Sequence, residues 1–156
     1  MFHEQPHSTP LFTIGTVARL LGVSVHTLRM YERKGLVLPM HAESGHRLYS
    51  QHDLDRLKCI RSAINVDKIS IEGIRRVFTL IPCWAIVNCP AGDRDACPAY
   101  TGHCGPCWTA GEKGNFCRER QCRECEVYVK FAECGSVKDK VKELLNPHPT
   151  SQKSSI

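Results

Sequence analysis

Cysteine dominates the chemistry that this sequence could perform. Ten cysteines occur in 156 residues, and nine of them lie between residues 83 and 134. Two pairs, Cys104-x2-Cys107 and Cys122-x2-Cys125, are separated by 14 residues. A two-residue spacing lets two thiolates bind one metal ion from a tight turn, and two such pairs are typical of a zinc ribbon. The spacing therefore predicts a metal site in this part of the chain.

More thiols are present than one tetrahedral ion needs. Thiolate-only ligation suits iron-sulfur clusters as well as zinc, so the sequence leaves the metal open between the two. Cys134 lies beyond the paired motifs and is expected to be the spare thiol, and Cys59, alone on a predicted helix, a small core residue. The predicted ligands are Cys83, Cys89, Cys97, Cys104, Cys107, Cys117, Cys122 and Cys125.

The stretch Cys104-Gly-Pro-Cys107 is also the dithiol sequence of a thioredoxin active site. A thioredoxin dithiol works because its first thiol follows a strand and begins a helix, which lowers the thiol pKa. No strand-then-helix pattern surrounds His103 to Trp108, and no other catalytic constellation is visible. We therefore expect metal or cluster binding here, and no enzyme.

The composition places limits on location and partners. The chain is 42% hydrophobic and 24% charged, with neither a signal-like N terminus nor a long uncharged stretch, so we expect a cytoplasmic protein without a membrane segment. A reducing compartment favours metal sites or redox sensors over disulfides. The net charge is +5, and the basic excess lies in residues 1–82, which carry 11 Lys and Arg against 7 Asp and Glu. That excess mildly favours a polyanionic partner.

The N-terminal half predicts a helix-turn-helix. Apolar residues recur at helical spacing from Ile14 to Leu21, with Thr13 as N-cap and Gly22 as the stop. Ser24 can cap a second helix, Val25 to Lys34, which ends at Gly35. Two short helices joined by a Gly-containing turn form a helix-turn-helix, whose second helix is the recognition helix.

A predicted wing and two further helices follow. The stretch VLPMHAESGHRLYS contains a turn at Ser44-Gly45 and predicts a short hairpin, the wing. Ser50 with Asp53 starts a third helix, and a fourth begins near Ser70 and ends at Pro82. The predicted fold is mostly α: a winged helix-turn-helix domain followed by a small, irregular, metal-stapled cysteine-rich domain. The expected boundaries are a flexible 1–11, a DNA-binding domain 12–82, a cysteine module 83–134, and a short helix with a flexible tail 135–156.

The segments FTIGTVARLLGVSVHTLRMYERKGL, GHRLYS and HDLDRL resemble the DNA-binding domain of MerR-family transcriptional regulators. The variant TLRMYERKGL is similar to the heat-shock repressors of that family. The resemblance implies a homodimer that docks its recognition helices in successive major grooves of double-stranded operator DNA and holds the backbone with its wings. It implies DNA contacts from Thr27, Arg29, Tyr31, Arg47 and Tyr49. His26 and Met30 are our candidates for base-edge contacts, and packing beneath the helix and the wing is the alternative role for Tyr31 and Tyr49.

The sequence departs from that family after the DNA-binding domain. MerR-type proteins usually continue into one long helix that pairs with its partner, whereas here Pro82 and the cysteines intervene. The later pattern of Val137, Val141, Leu144 and Leu145 is too short for a dimer coil. The implied homodimer therefore has no visible dimerisation helix.

The cysteine module has a resemblance of its own. The series CW at Cys83, Cys89, CPAY at Cys97, CW at Cys107, Cys117 and C-x2-CEVY from Cys122 resembles the two-CW module found beside bacterial sensory domains. Cys104 and Cys134 lie outside its recurring pattern. The resemblance implies a sensory role for residues 83–128.

These features give one leading hypothesis and three alternatives. The leading hypothesis is a one-component transcription regulator whose cysteine module senses metal or redox state. The first alternative is a DNA-binding repressor in which zinc is purely structural. The second is a DNA-tethered thiol-disulfide oxidoreductase with Cys104 as nucleophile. The third makes the module a docking surface for a protein such as RNA polymerase.

Overall fold

The structure is a computed structural model that describes residues 7, 9–131, 138, 139, 142 and 145. The N-terminal half contains two strands and four helices in the predicted places, preceded by one further strand. In chain order these are β1 (Pro10–Thr13), α1 (Ile14–Leu21), α2 (Val25–Arg33), β2 (Met40–His41), β3 (Arg47–Ser50), α3 (Gln51–Asn65) and α4 (Ile71–Thr79).

Local capping explains where these helices begin, and it confirms the predicted caps. The hydroxyl of Ser24 accepts the amide N–H of Thr27 at 3.0 Å, and the hydroxyl of Ser50 accepts that of Asp53 at 3.2 Å. The Asp53 carboxylate accepts the N–H of Ser50 at 2.8 Å, which completes the capping box. At the end of α1, Gly22 has φ +63°, a left-handed conformation that glycine adopts without steric cost.

Strand β1 was not predicted. It pairs antiparallel with β3, with Pro10 opposite Ser50 and Thr13 opposite Leu48, so that β3 becomes the central strand of a three-stranded sheet. Two of its residues, Pro10 and Leu11, fall in the segment expected to be flexible. The edge strand satisfies backbone groups of β3 that a two-stranded wing would leave to water.

The cysteine module consists of short helices. They are α5 (Cys83–Ile86), α6 (Ala91–Asp95), α7 (Pro98–Thr101), α8 (Asn115–Arg118) and α9 (Glu126–Lys130), with 3-10 turns at Cys107–Thr109 and Cys122–Glu124. Residues 83–131, all of which the structure describes, include no strand. The predicted short helix through Val137, Val141 and Leu144 lies outside the described residues, as does Cys134.

The module does not fold as a separate body with its own core. Trp108, Val127, Tyr128 and Phe131 belong to the same buried apolar cluster as Val17 and the other core side chains of the N-terminal half. A module with so few large apolar side chains gains stability by sharing the core of its neighbour. Residues 83–131 therefore share one continuous core with the N-terminal half, and the domain boundary expected after residue 82 stays a prediction. In the described part of the chain, no helix combines the length and the hydropathy that spanning a bilayer requires.

Candidate functional site

One face of α2 carries the exposed polar and basic side chains of the helix-turn-helix. His26, Arg29 and Arg33 are exposed at positions that follow one another on a helix surface, while Leu28 is fully buried beneath them. Thr27 and Met30 are half-buried, and the Thr27 hydroxyl is hydrogen-bonded to that of Ser24 at 2.9 Å. The helix therefore presents a basic ridge with imidazole and guanidinium groups, which are suited to phosphates and base edges.

The wing is held directly to α2 by Glu32. The hairpin pairs Met40 with Leu48 and His41 with Arg47. From α2, the Glu32 carboxylate accepts Nε of Arg47 at 2.5 Å and lies 3.0 Å from Nε2 of His41. The hydrogen bond to Glu32 raises the pKa of Arg47 above its ordinary value, so the guanidinium keeps its charge. Helix and wing form one connected surface.

Tyr31 and Tyr49 lie in the core, with exposures of 5% and 0%. Burial raises the pKa of Tyr49 to about 12. Its buried hydroxyl has no hydrogen-bond partner among the described residues. These positions favour packing beneath the recognition helix and the wing, and a DNA contact through either hydroxyl stays a prediction.

Seven of the eight predicted ligand cysteines line one cavity of about 50 Å³. Aromatic rings close it: Trp84 packs edge-on against Tyr100 at 5.1 Å, and Trp108 against Tyr128 at 5.2 Å. Cys104 is exposed and does not line this cavity, so the structure separates the two thiols of the CGPC motif. The lining cysteines are Cys83, Cys89, Cys97, Cys107, Cys117, Cys122 and Cys125.

Donors and cations surround the sulfur atoms of this cavity. Lys113 donates from Nζ to Sγ of Cys122 at 2.6 Å, and the backbone N–H of Gly114 donates to Sγ of Cys97 at 3.4 Å. Arg94 and Arg120 also line the cavity. Positive charge and N–H donors stabilise thiolates, the form of cysteine that binds metals.

The thiols of Cys83 and Cys107 share a hydrogen bond that shifts their pKa values in opposite directions. The hydrogen bond from Cys107 lowers the pKa of Cys83 to about 7, and the same hydrogen bond together with burial raises the pKa of Cys107. Burial raises the pKa of Cys117 to about 11. In the described part of the chain, no group of three or more His, Cys, Asp and Glu side chains is arranged to hold a metal ion. The eight cysteines predicted as ligands are free thiols, whereas Cys59, expected to be a lone core residue, is in a disulfide.

The cysteine module contacts the end of the recognition helix. The indole Nε1 of Trp108 donates to the carbonyl of Gly35 at 2.7 Å. The Tyr128 hydroxyl accepts the N–H of Leu38 at 2.9 Å and donates to the Asp53 carboxylate at 2.7 Å. Arg123 donates to the carbonyl of Leu38 at 2.8 Å. Side chains next to cavity cysteines thus bind the segment between the recognition helix and the wing.

A buried arginine completes this interface. Arg56 on α3 is 1% exposed and donates to the carbonyl of Tyr128. Its guanidinium carbon lies 4.0 Å from the ring centre of Tyr128, 5.2 Å from that of Trp108 and 5.5 Å from that of Phe78. Desolvation lowers the pKa of Arg56, while stacking on the rings offsets part of the cost of burying its charge.

The sequence interpretation missed Arg56 and saw Asp53 as a helix cap alone. Asp53 and Arg56 stand three residues apart and share a face of α3 with the buried Leu57 and Ile60. Two charges on an apolar stripe are the signal that could have revealed a polar contact with another segment. The spacing of Asp53 and Arg56 does not predict that this contact is made with Tyr128.

Comparison with known proteins agrees with the fold of the N-terminal half. Residues 12–80 match the family model described as MerR HTH family regulatory protein. The chain is 33% identical over 78 residues to "Putative heat shock protein HspR" of Streptomyces coelicolor, covering 50% of this chain and 52% of that protein. It is 34% identical over 77 residues to "HTH-type transcriptional regulator GlnR" of Bacillus anthracis, covering 49% and 59%.

A third similar protein is "HTH-type transcriptional regulator ZntR homolog" of Haemophilus influenzae, 40% identical over 68 residues, which are 43% of this chain and 50% of that protein. The chain thus spans about half of the length of the curated relatives that it matches. The match covers the helix-turn-helix, the wing, α3 and α4, and it ends before the first cysteine of the module. Residues 12–80 therefore form a helix-turn-helix domain of the MerR family of regulatory proteins.

Proposed function

We propose that this protein regulates transcription by binding double-stranded operator DNA, and that its cysteine module adjusts the binding in response to metal or redox state. Helix α2 would enter the major groove with Arg29 and His26 towards the bases and phosphates. The β2–β3 wing would rest on the backbone through Arg47. The hydrogen bond between Glu32 and Arg47 at 2.5 Å supports this assignment, because it connects the recognition helix directly to the wing.

The contacts between Trp108 and Gly35 and between Tyr128 and Leu38 support the regulatory part of the proposal. Trp108 directly follows Cys107, and Tyr128 lies three residues after Cys125. A shift of these cysteines would therefore move both side chains and alter their hydrogen bonds to the segment after the recognition helix. A switch requires that the signal stabilise one of two arrangements more than the other. Metal loss or oxidation at the thiols supplies such a difference.

A family-type regulator acts as a symmetric dimer on a pseudo-palindromic site, and we propose the same assembly here. Residues beyond α4 that would form a long pairing helix in other members are replaced by the cysteine module. The second copy would therefore have to contact a different surface. The operator is expected to be two inverted half-sites about one helical turn apart, roughly 34–36 Å.

Selection of duplexes from a random-sequence pool by the full-length protein tests the DNA-binding part. Binding of the selected duplex is then followed by fluorescence anisotropy for the wild type, Arg29→Ala and Arg118→Ala. Both variants lose one exposed arginine, but Arg118 lies on α8 of the cysteine module. We expect Arg29→Ala to weaken binding about tenfold or more, which is about 1.4 kcal/mol, and Arg118→Ala to have little effect. Equal effects, or selection of no sequence, would contradict the proposal.

The regulatory part is tested on the same duplex with protein purified without oxygen and protein treated with a chelator or an oxidant. We expect the two forms to differ in affinity, and we expect Trp108→Phe to reduce the difference because it removes the N–H that binds Gly35. Identical affinities of the wild-type forms would show that any bound metal is structural.

A further inference from the structure

Seven of the predicted ligand cysteines lie around one cavity instead of forming separate binding sites. The Cys122-x2-Cys125 pair lines the same cavity as Cys107 and the four dispersed thiols, which are Cys83, Cys89, Cys97 and Cys117. These seven come from α5, from α8, from both 3-10 turns and from the loops between them. A zinc ribbon binds one ion between its two Cys-x2-Cys pairs. Here Cys104 stays outside the cavity and four dispersed thiols lie around it, so the zinc-ribbon spacing does not describe this arrangement.

We propose that this cavity holds one polynuclear metal–thiolate centre, either an iron-sulfur cluster or several bridged zinc ions, and that Cys104 is not part of it. This inference rests on the proposed function and specifies what its sensing module would bind. The shared chemistry is a group of thiophilic metal atoms held by cysteine sulfur.

The number of thiols and the size of the cavity carry the first step. A tetrahedral ion is saturated by four thiolates, so the seven that line this cavity exceed the need of one ion. The cavity volume is about 50 Å³, whereas about 10–15 Å³ measured in the same way admits a single water molecule. The space and the ligand count together fit several metal atoms, and because no three of the described thiols are already arranged around one ion, binding would have to draw their sulfur atoms together.

The charges around the cavity carry the second step. Thiols release their protons when they bind metal, and the resulting negative charge must be balanced. Lys113 already donates to Sγ of Cys122 at 2.6 Å, and the N–H of Gly114 donates to Sγ of Cys97 at 3.4 Å. Arg94 lines the same cavity, and its buried Nε has no hydrogen-bond partner among the described residues. Such donors stabilise a centre that carries net negative charge.

The aromatic enclosure carries the third step. Trp84, Tyr100, Trp108 and Tyr128 close the cavity with ring pairs packed edge-on. A dry, apolar shell limits access of water and oxidants to a metal centre and influences its potential.

Metal content per chain tests the proposal. The full-length protein is purified without oxygen, and its iron, acid-labile sulfide and zinc are assayed together with its visible spectrum and its native mass. We expect more than one metal ion per chain. Iron with matching sulfide and a broad visible band would identify a cluster, and two or more zinc ions without colour would identify a zinc–thiolate centre. One ion per chain, or none, would overturn the proposal.

Two cysteines of the same motif provide a matched pair of variants. Cys107→Ala removes a thiol from the cavity wall, whereas Cys104→Ala removes an exposed thiol three residues away. We expect Cys104→Ala to keep the full metal content and Cys107→Ala to lose all metals together, since the ions share ligands. Loss of one ion with retention of another would show independent sites and overturn the proposal, as would equal losses in the two variants.

Because Cys107→Ala could also unfold the module, Cys89→Ser serves as a second wall variant at a less buried position. Circular dichroism and tryptophan fluorescence report whether each variant is folded. A folded Cys89→Ser with unchanged metal content would count against the shared centre. The metal assays involve no DNA, so the centre can fail while operator binding persists, and regulation can fail while the centre is found.

Discussion

The indole N–H of Trp108 donates to the carbonyl of Gly35 across 2.7 Å, although the two residues are 73 positions apart in the chain. Gly35 lies in the turn that ends the recognition helix, and Trp108 follows a cysteine of the cavity. The two candidate sites of this protein are therefore joined by a buried hydrogen bond, and changes at either residue should affect both.

Gly35→Ala should destabilise the protein more than Gly22→Ala. Both glycines have positive φ, +71° and +63°, so both substitutions introduce backbone strain of about 1–2 kcal/mol. At Gly35 the added Cβ would also clash with Cγ2 of Thr109, whereas at Gly22 it would meet nothing within 4 Å. Urea unfolding of both variants measures the difference.

The double variant Gly35→Ala with Thr109→Ser is the control for that clash. Removal of Cγ2 from residue 109 should recover the part of the loss that exceeds the loss of Gly22→Ala. If the two single glycine variants unfold at the same urea concentration, the close contact between module and recognition helix is wrong.

Tyr128→Phe should lower the free energy of unfolding by about 1–3 kcal/mol, because Oδ1 of Asp53 and the backbone N–H of Leu38 both lose their hydrogen-bond partner. The hydroxyl donates to Asp53 at 2.7 Å and accepts the N–H of Leu38 at 2.9 Å. Tyr100→Phe, at a ring that is 41% exposed, is the control and should change stability little. Equal stabilities of the two variants in urea would contradict a role for the Tyr128 hydroxyl.

Arg56→Ala should be among the most destabilising single changes, about 3–5 kcal/mol. It removes a guanidinium that stacks on three rings and donates to the Tyr128 carbonyl. Arg56→Met restores the volume without the hydrogen bond and should recover part of the loss. Thermal unfolding of both, with the exposed Arg76→Ala as reference, measures this, and a loss no larger than that of Arg76→Ala would refute it.

Glu32→Ala should weaken binding to the selected operator about tenfold, although the change removes a negative charge from the DNA-facing side. Glu32 holds Arg47 at 2.5 Å and His41 at 3.0 Å, and without it the wing loses its connection to α2. Glu119→Ala changes the charge equally on the cysteine module and should leave affinity nearly unchanged. Stronger binding by Glu32→Ala would show that charge outweighs wing position.

Operator affinity should fall steeply with salt. If each half-site neutralises about three phosphates, the slope of log affinity against log salt for the dimer is roughly −5. Anisotropy titrations over a range of salt concentrations give this slope, and Arg29→Ala should reduce its magnitude by about one or two. A slope near zero would exclude phosphate contacts as the source of binding.

Local signals in the sequence were sufficient for the helix-turn-helix and its wing. Thr13, Ser24 and Ser50 cap the helices as predicted, and Gly22 ends α1 in a left-handed conformation. Each of these signals acts through hydrogen bonds between residues at most four positions apart, so the chain carries them wherever it packs. The family likeness of residues 12–80 follows from the same local pattern.

Tertiary structure alone decided which distant residues come into contact. Strand β1 pairs with β3, Arg56 is buried under three rings, and thiols from two helices, two 3-10 turns and the loops between them meet at one cavity while Cys104 stays outside. The spacing of the cysteines predicted pairs of metal ligands, because spacing indicates only which thiols a single turn can bring together. The contacts of Arg56 with Tyr128 and of Trp108 with Gly35 join residues 72 and 73 positions apart. Such contacts form only when the whole core packs, because side-chain volume and buried hydrogen bonds, rather than local propensity, select them.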